Sequence, residues 1–155
     1  MLEQILEAWR INNRVNVRLL AAISDEGLRC TLSKRGGRTV ARQFGHLHNV
    51  RIWHLQRRAR AIAAGASLFA TEDEPDRATL VAALADSSLR IEAFIRSAGE
   101  GASGVRTAKR GLVPNVAYFI SHESHHRGSI LLTLKMCGHP VARDVSMGIW
   151  DWDRL

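Results

Sequence analysis

The chain has little of what several protein classes require. Only two of its 155 residues are cysteines. Cys30 and Cys137 lie far apart with no Cys-x-x-Cys spacing, which excludes a disulfide framework and a thiolate metal knot. Both read as small buried or half-buried hydrophobes. No apolar run approaches the roughly 20 residues needed to span a bilayer. The opening Met1-Leu2-Glu3-Gln4-Ile5-Leu6-Glu7 carries acids early and has no apolar core of signal-peptide type, so no membrane association is expected and a cytoplasmic location is. Beta-branched alternation is almost absent, which leaves little material for a sheet. Gly99 to Gly104 is glycine-rich but lacks the lysine and preceding strand of a phosphate-cradling loop. Spacing defines no Ser-His-Asp or Cys-His arrangement.

What is present fits one globular domain spanning 1–155. The length suits a single core, and the chain is 46% hydrophobic and 24% charged, as soluble folded proteins are. The formal net charge of +7 raises the question of nucleic acid. Its basic clusters, Arg57, Arg58 and Arg60 on one segment and Arg106, Lys109 and Arg110 on another, have no interleaved aromatics and belong to no nucleic-acid module. They read as a solvated face, with an acidic small molecule as the next reading; a nucleic-acid partner is not expected.

The periodicity predicts four helices. Leu2, Ile5, Leu6, Trp9, Leu19, Leu20 and Ile23 form a stripe over Leu2 to Glu26, ended by Gly27. Thr39 caps a second helix that runs to Ala64 and closes at Gly65. Thr71-Glu72-Asp73-Glu74-Pro75 has capping-box spacing at the start of a third, which carries Leu80, Leu84, Leu89, Ile91, Phe94 and Ile95. A loop from Gly99 to Gly111 leads to a fourth helix with Pro114 near its start, ending at Met136 before Gly138-His139-Pro140. Four helices of this length are the ingredients of an all-α four-helix bundle.

The densest chemistry lies in Ser121-His122-Glu123-Ser124-His125-His126-Arg127-Gly128. At 3.6 residues per turn His122 and His126 lie one turn apart on the same face, while His125 points aside. Val116, Phe119, Ile120, Ile130, Leu131 and Leu134 define an apolar face, with the pair at its edge and Glu123 within it. Unpartnered polar groups are costly against such a face, and a metal ion accounts for them: neutral imidazoles at i, i+4 bind transition metals without backbone strain. A third ligand must come from elsewhere, and Phe44-Gly45-His46-Leu47-His48 offers two. Periodicity places His48 nearer the centre of its stripe than His46. His54 also borders that stripe and reads as a packed residue. Glu123 has two readings, a general base or partner that orients a ligand histidine, and one half of an i, i+4 ion pair with Arg127. Trp150 and Trp152 either cover the mouth of the site or pin the tail by packing.

Arg38-Thr39-Val40 leading to Gln43-Phe44-Gly45-His46-Leu47, and later His122-Glu123-Ser124-His125-His126-Arg127-Gly128, resemble the DinB-like family, also called DinB/YfiT-like metalloenzymes. The resemblance covers nearly the whole chain. Trp9 and Asn13 suit the family's first helix, and Gly148-Ile149-Trp150-Asp151-Trp152 is similar to the ending of one of its subgroups. It implies a four-helix bundle, commonly a homodimer. It also implies a divalent metal, with zinc, nickel and iron as candidates, held by one histidine of helix two and the i, i+4 pair. Carried over, these are His46, His122 and His126, with His48 as the alternative to His46. Ser129 departs from the family, which often has glutamine there. Three neutral ligands leave coordination positions open, the pattern of a catalytic site. Thiol transferases and a thiol-dependent isomerase in the wider superfamily imply a low-molecular-weight thiol as co-substrate, its carboxylates held by Arg106, Lys109 and Arg110. The resulting expectation is a metal-dependent thiol S-transferase or hydrolase acting on a small molecule, with Glu123 as its catalytic carboxylate; the rival is a non-catalytic metal-binding stress-response protein.

Overall fold

The computed structural model describes residues 1–35 and 37–155, and among these it is all-α. Seven helices form in chain order: α1 (Leu2–Ala21), α2 (Asp25–Leu28), α3 (Val40–Arg58), α4 (Arg60–Ala63), α5 (Arg77–Gly99), α6 (Leu112–Met136) and α7 (Arg143–Gly148). A 3-10 turn, Trp152–Arg154, follows. No helix is long and apolar enough to cross a membrane among the described residues.

The helix limits are set by side chains that satisfy free backbone N–H groups. Thr39 is extended and its Oγ1 accepts from the Arg42 N–H at 3.2 Å, the cap the sequence predicts for the histidine-bearing α3. Other limits depart from expectation. The first helix stops at Ala21 because Ser24, also extended, opens the short α2 and accepts from the Gly27 N–H at 3.0 Å. Gly27 therefore lies inside a helix. A Cβ there would come within 2.9 Å of Ile23 Cγ2 and 3.0 Å of Leu134 Cδ2, so close packing explains the glycine. The second helix breaks at Ala59, which leaves helical geometry, and α4 resumes beyond it. The Thr71–Glu74 capping box does not form. Glu74 is drawn instead to Thr39 Oγ1 and Arg42 Nε, both at 2.7 Å, and α5 starts at Asp76, whose Oδ1 accepts from the Thr79 N–H at 2.8 Å.

The four long helices pack side by side, with α1 and α3 each against α5 and α6. Two apolar clusters fill the interior. One gathers Leu19, Leu20, Val40, Phe44, Leu80 and Leu134; the other gathers Leu6, Trp9, Ile52, Phe94, Val116 and Phe119. Between these clusters every long helix buries polar residues: Asn12 and Asn16, Arg51, Ser87, and Glu123 and Arg127.

Candidate metal centre

His46 on α3 and the His122, His126 pair on α6 converge, each half-buried, with candidate ligand nitrogens within 4.8 Å of one another. Their ring centroids are 5.4 Å (His46–His122), 4.9 Å (His46–His126) and 4.7 Å (His122–His126) apart. Trp53 meets His46 edge-on and Tyr118 stacks on His122, so two partly exposed aromatics rim the cluster. Burial pushes His46 down to about 4, with Arg38 and His122 acting in the same sense. Burial likewise lowers His126 to about 4, helped by His122, His46 and Arg38, and lowers His122. All three imidazoles are thus neutral near pH 7, the form that binds a metal.

The fit to a divalent metal rests on two further observations. The Nδ1 atoms of His122 and His126 are buried and find no hydrogen-bond partner among the described residues, a costly state that an ion in this cluster would relieve. The set holds no thiolate or carboxylate, so it is a neutral three-imidazole set of the kind that serves zinc, nickel or iron.

The structure separates the helix-two histidines. His48 is buried with both ring nitrogens 2.9 Å from carbonyl oxygens, Ala83 O and Ser67 O, leaving no nitrogen for an ion. Stripe position favours His48; burial is what a core histidine and a ligand share, and only the partners across the helices tell them apart. His54 packs among Tyr118 and Phe119, and His125 is exposed, edge-on to His126. Gly45 admits a neighbouring loop: a Cβ there would sit 3.2 Å from the Phe69 ring, while Asn49 fixes that loop by bonding Phe69 N and O.

Glu123 does not join the histidines. Its carboxylate takes a bidentate pair from Arg51, Nε to Oε1 at 2.7 Å and Nη2 to Oε2 at 2.9 Å, and Oε2 also accepts from Asn12 and Asn16 Nδ2 at 2.6 Å each. Burial alone would raise its pKa, but Arg51 and the two amides outweigh it and hold the group below the usual carboxylate range. The i, i+4 partner Arg127 instead donates through Nη1 to Asn12 and Asn16 Oδ1. Arg51, fully buried, completes its set with Asn13, Ser87 and Leu84 O and lies 4.7 Å over the Trp9 ring. The ion pair therefore joins α3 to α6, the two helices that carry the histidines. Sequence reasoning missed Arg51, Asn12 and Asn16. The available signal was their place, polar residues at core positions, with Arg51 midway between Leu47 and Leu55.

The basic loop is also elsewhere. Arg106 bonds the carbonyls of Arg57 and Arg58, twelve residues along α3 from His46, about 18 Å at helical rise. Arg38, which lowers the pKa of all three histidines, lines a cavity of about 100 Å³ beside His46 and another of about 310 Å³ beside His126; Arg42 also lines the first but is paired with Glu74. Trp150 and Trp152 line a cavity with α6 residues of the other flank and are not brought to the histidines.

No curated protein and no solved structure matches the chain. The DinB family model matches residues 1–148, and the chain belongs to the DinB family.

Proposed function

We propose that the chain is a metal-dependent enzyme that joins a low-molecular-weight thiol to a small electrophile, with His46, His122 and His126 holding a divalent transition metal. The observation that carries this reading is the convergence of three neutral imidazoles from two helices with no fourth protein ligand in the set. When bound, the metal would supply a Lewis acid that favours the thiolate over the thiol. Thiol transfer is preferred to hydrolysis because the histidine cluster itself holds no carboxylate among the described residues, Glu123 is saturated by Arg51 and two asparagines, and Asp73, which lines the cavity beside His46, accepts from the Ala70 N–H. Arg38 supports an anionic co-substrate, since it lines the cavities on both sides of the histidines and can pair a carboxylate there. Glu123 and Arg51 act as positioning residues, fixing the rotation of α6 relative to α3.

Metal analysis of untagged protein tests the site. Wild type is expected to carry about one equivalent and the His122→Ala, His126→Ala double variant almost none; equally low metal in both overturns the reading. Turnover of electrophiles with cellular thiols, with and without metal, tests the chemistry. Metal that raises thermal stability while no thiol reacts would instead support the non-catalytic stress-protein reading. Arg38→Gln is expected to raise KM for a carboxylate-bearing thiol about 10-fold or more with little change in kcat.

A further inference from the structure

On the flank of α6 opposite the histidines, Ile120, Ser124, Arg127 and Leu131 face Ile149 and Trp152 of the tail across a cavity of about 180 Å³. Its walls are mostly apolar side chains and its charged residue is Arg127, which is only 7% exposed. Nη1 of Arg127 is committed to Asn12 and Asn16, but Nε and Nη2 have no protein partner among the described residues. The charge is unbalanced as well. Arg51 and Arg127 are both buried beside a single carboxylate, Glu123, which Arg51 already pairs in bidentate fashion, and Arg127 makes no ion pair of its own among the described residues. Arg127 has to share Glu123 with Arg51, and its open Nε and Nη2, which are not sealed from solvent, define what would balance it.

The walls define the rest. Trp152 is 39% and Trp150 72% exposed, two indoles held by a short tail at the edge of the cavity. Gly128 also lines it, and a Cβ at that position would meet nothing within 4 Å. The volume is close to that of an apolar cavity of ~150 Å³ that accepts a benzene ring. We propose that this cavity binds a small monocarboxylate with a compact apolar body, its carboxylate on the free donors of Arg127 and its body against Leu131, Ile120 and the tail indoles. The site does not depend on the metal reading, because α6 presents it on the other flank.

Benzoate is the probe, titrated into the full chain and followed by tryptophan fluorescence and by calorimetry. Benzyl alcohol supplies the ring without the charge, and inorganic phosphate the charge without the ring. Saturable benzoate binding is expected, at least 10-fold tighter than either comparator. Arg127→Met should abolish it, although that change also breaks the contacts to Asn12 and Asn16. Gly128→Leu is the cleaner variant: it fills the cavity from the helix, leaves Arg127 and its partners in place, and removes a helix-interior glycine. It should abolish benzoate binding with thermal stability kept or raised. The His122→Ala, His126→Ala variant should bind benzoate as wild type does, which separates this cavity from the histidine cluster. The proposal is overturned if benzyl alcohol binds as well as benzoate, if benzoate binding survives Gly128→Leu, or if no saturable binding occurs at millimolar benzoate. Self-association that removes the tryptophan response would overturn it too, by assigning the cavity to a second copy of the chain.

Discussion

Arg51 and Glu123 neutralise each other where water does not reach, so losing one partner strands the other as a buried charge. Arg51→Met or Glu123→Leu alone is expected to lower the unfolding free energy by about 3–5 kcal/mol, whereas the double variant recovers only part of the loss, because it strands neither of these two charges but leaves Arg127 without its neighbouring carboxylate and Asn12 and Asn16 without their acceptor. Urea unfolding of the three variants checks this, and single losses under about 1 kcal/mol would show that the pair is not sealed from solvent. The two histidines of α3 separate at the same scale. His46→Ala should lose metal and keep its fold, since its ring belongs to the half-buried cluster. His48→Ala should keep metal and lose stability, by about 1–3 kcal/mol, as the buried ring that lies between the Ala83 and Ser67 carbonyls is lost and with it the N–H donated to one of them. Metal content and melting temperature, measured on both proteins, decide it. A His48 variant that loses metal while the His46 variant retains it would reverse the assignment.

At the scale of the element, α3 matters most, because it carries His46 and Arg51 from a start fixed by one hydroxyl. Thr39→Ala removes the cap on the Arg42 N–H and the hydrogen bond to Glu74 together. A loss of about 1–2 kcal/mol is expected in thermal or urea unfolding, and Thr39→Ser should restore most of it. Helix α3 was legible because Thr39 stands directly before a long apolar repeat, and α6 because Gly138, at φ +81, ends it as glycine after a helix does. The start of α5 was not legible. Thr71 and Glu74 have the local spacing of a cap, but Glu74 is taken by Thr39 and Arg42 on α3, a competition between distant segments that spacing cannot express. Asp76 then takes over the cap.

For the molecule as a whole, the three site histidines make the metal-free protein sensitive to acid. His46 and His126 titrate at about 4 when folded, against about 6.5 for a free imidazole. Between those values the unfolded chain binds more protons than the folded one, so stability is full above about pH 6.5 and falls as pH drops toward 4. His54 and His122, also lowered by burial, act in the same direction. Glu123 adds a second loss below about pH 4.5, its ordinary value, as the unfolded carboxylate protonates first. Urea midpoints of chelator-treated protein at pH 7.5, 5.5 and 4.5 are expected to decline in that order. The slope between the first two should flatten when His46, His122 and His126 are all replaced by glutamine; an unchanged slope would place the proton uptake elsewhere.

The amino-acid sequence by itself determined that the chain is helical, which four segments form the long helices though not all of their limits, and that His122 and His126 share a face, because each follows from contacts within a few residues: caps, glycine stops and the 3.6-residue repeat. It also marked Glu123 as a polar group on an apolar face. Only the tertiary structure decided which helix-two histidine meets the pair, since His46 and His48 lie on the same short stretch and differ in what stands opposite them. The partner of Glu123 was decided the same way. Arg127 is its neighbour along the helix, but Arg51 reaches it from α3 with two parallel hydrogen bonds, and that geometry exists only once α3 and α6 are packed together.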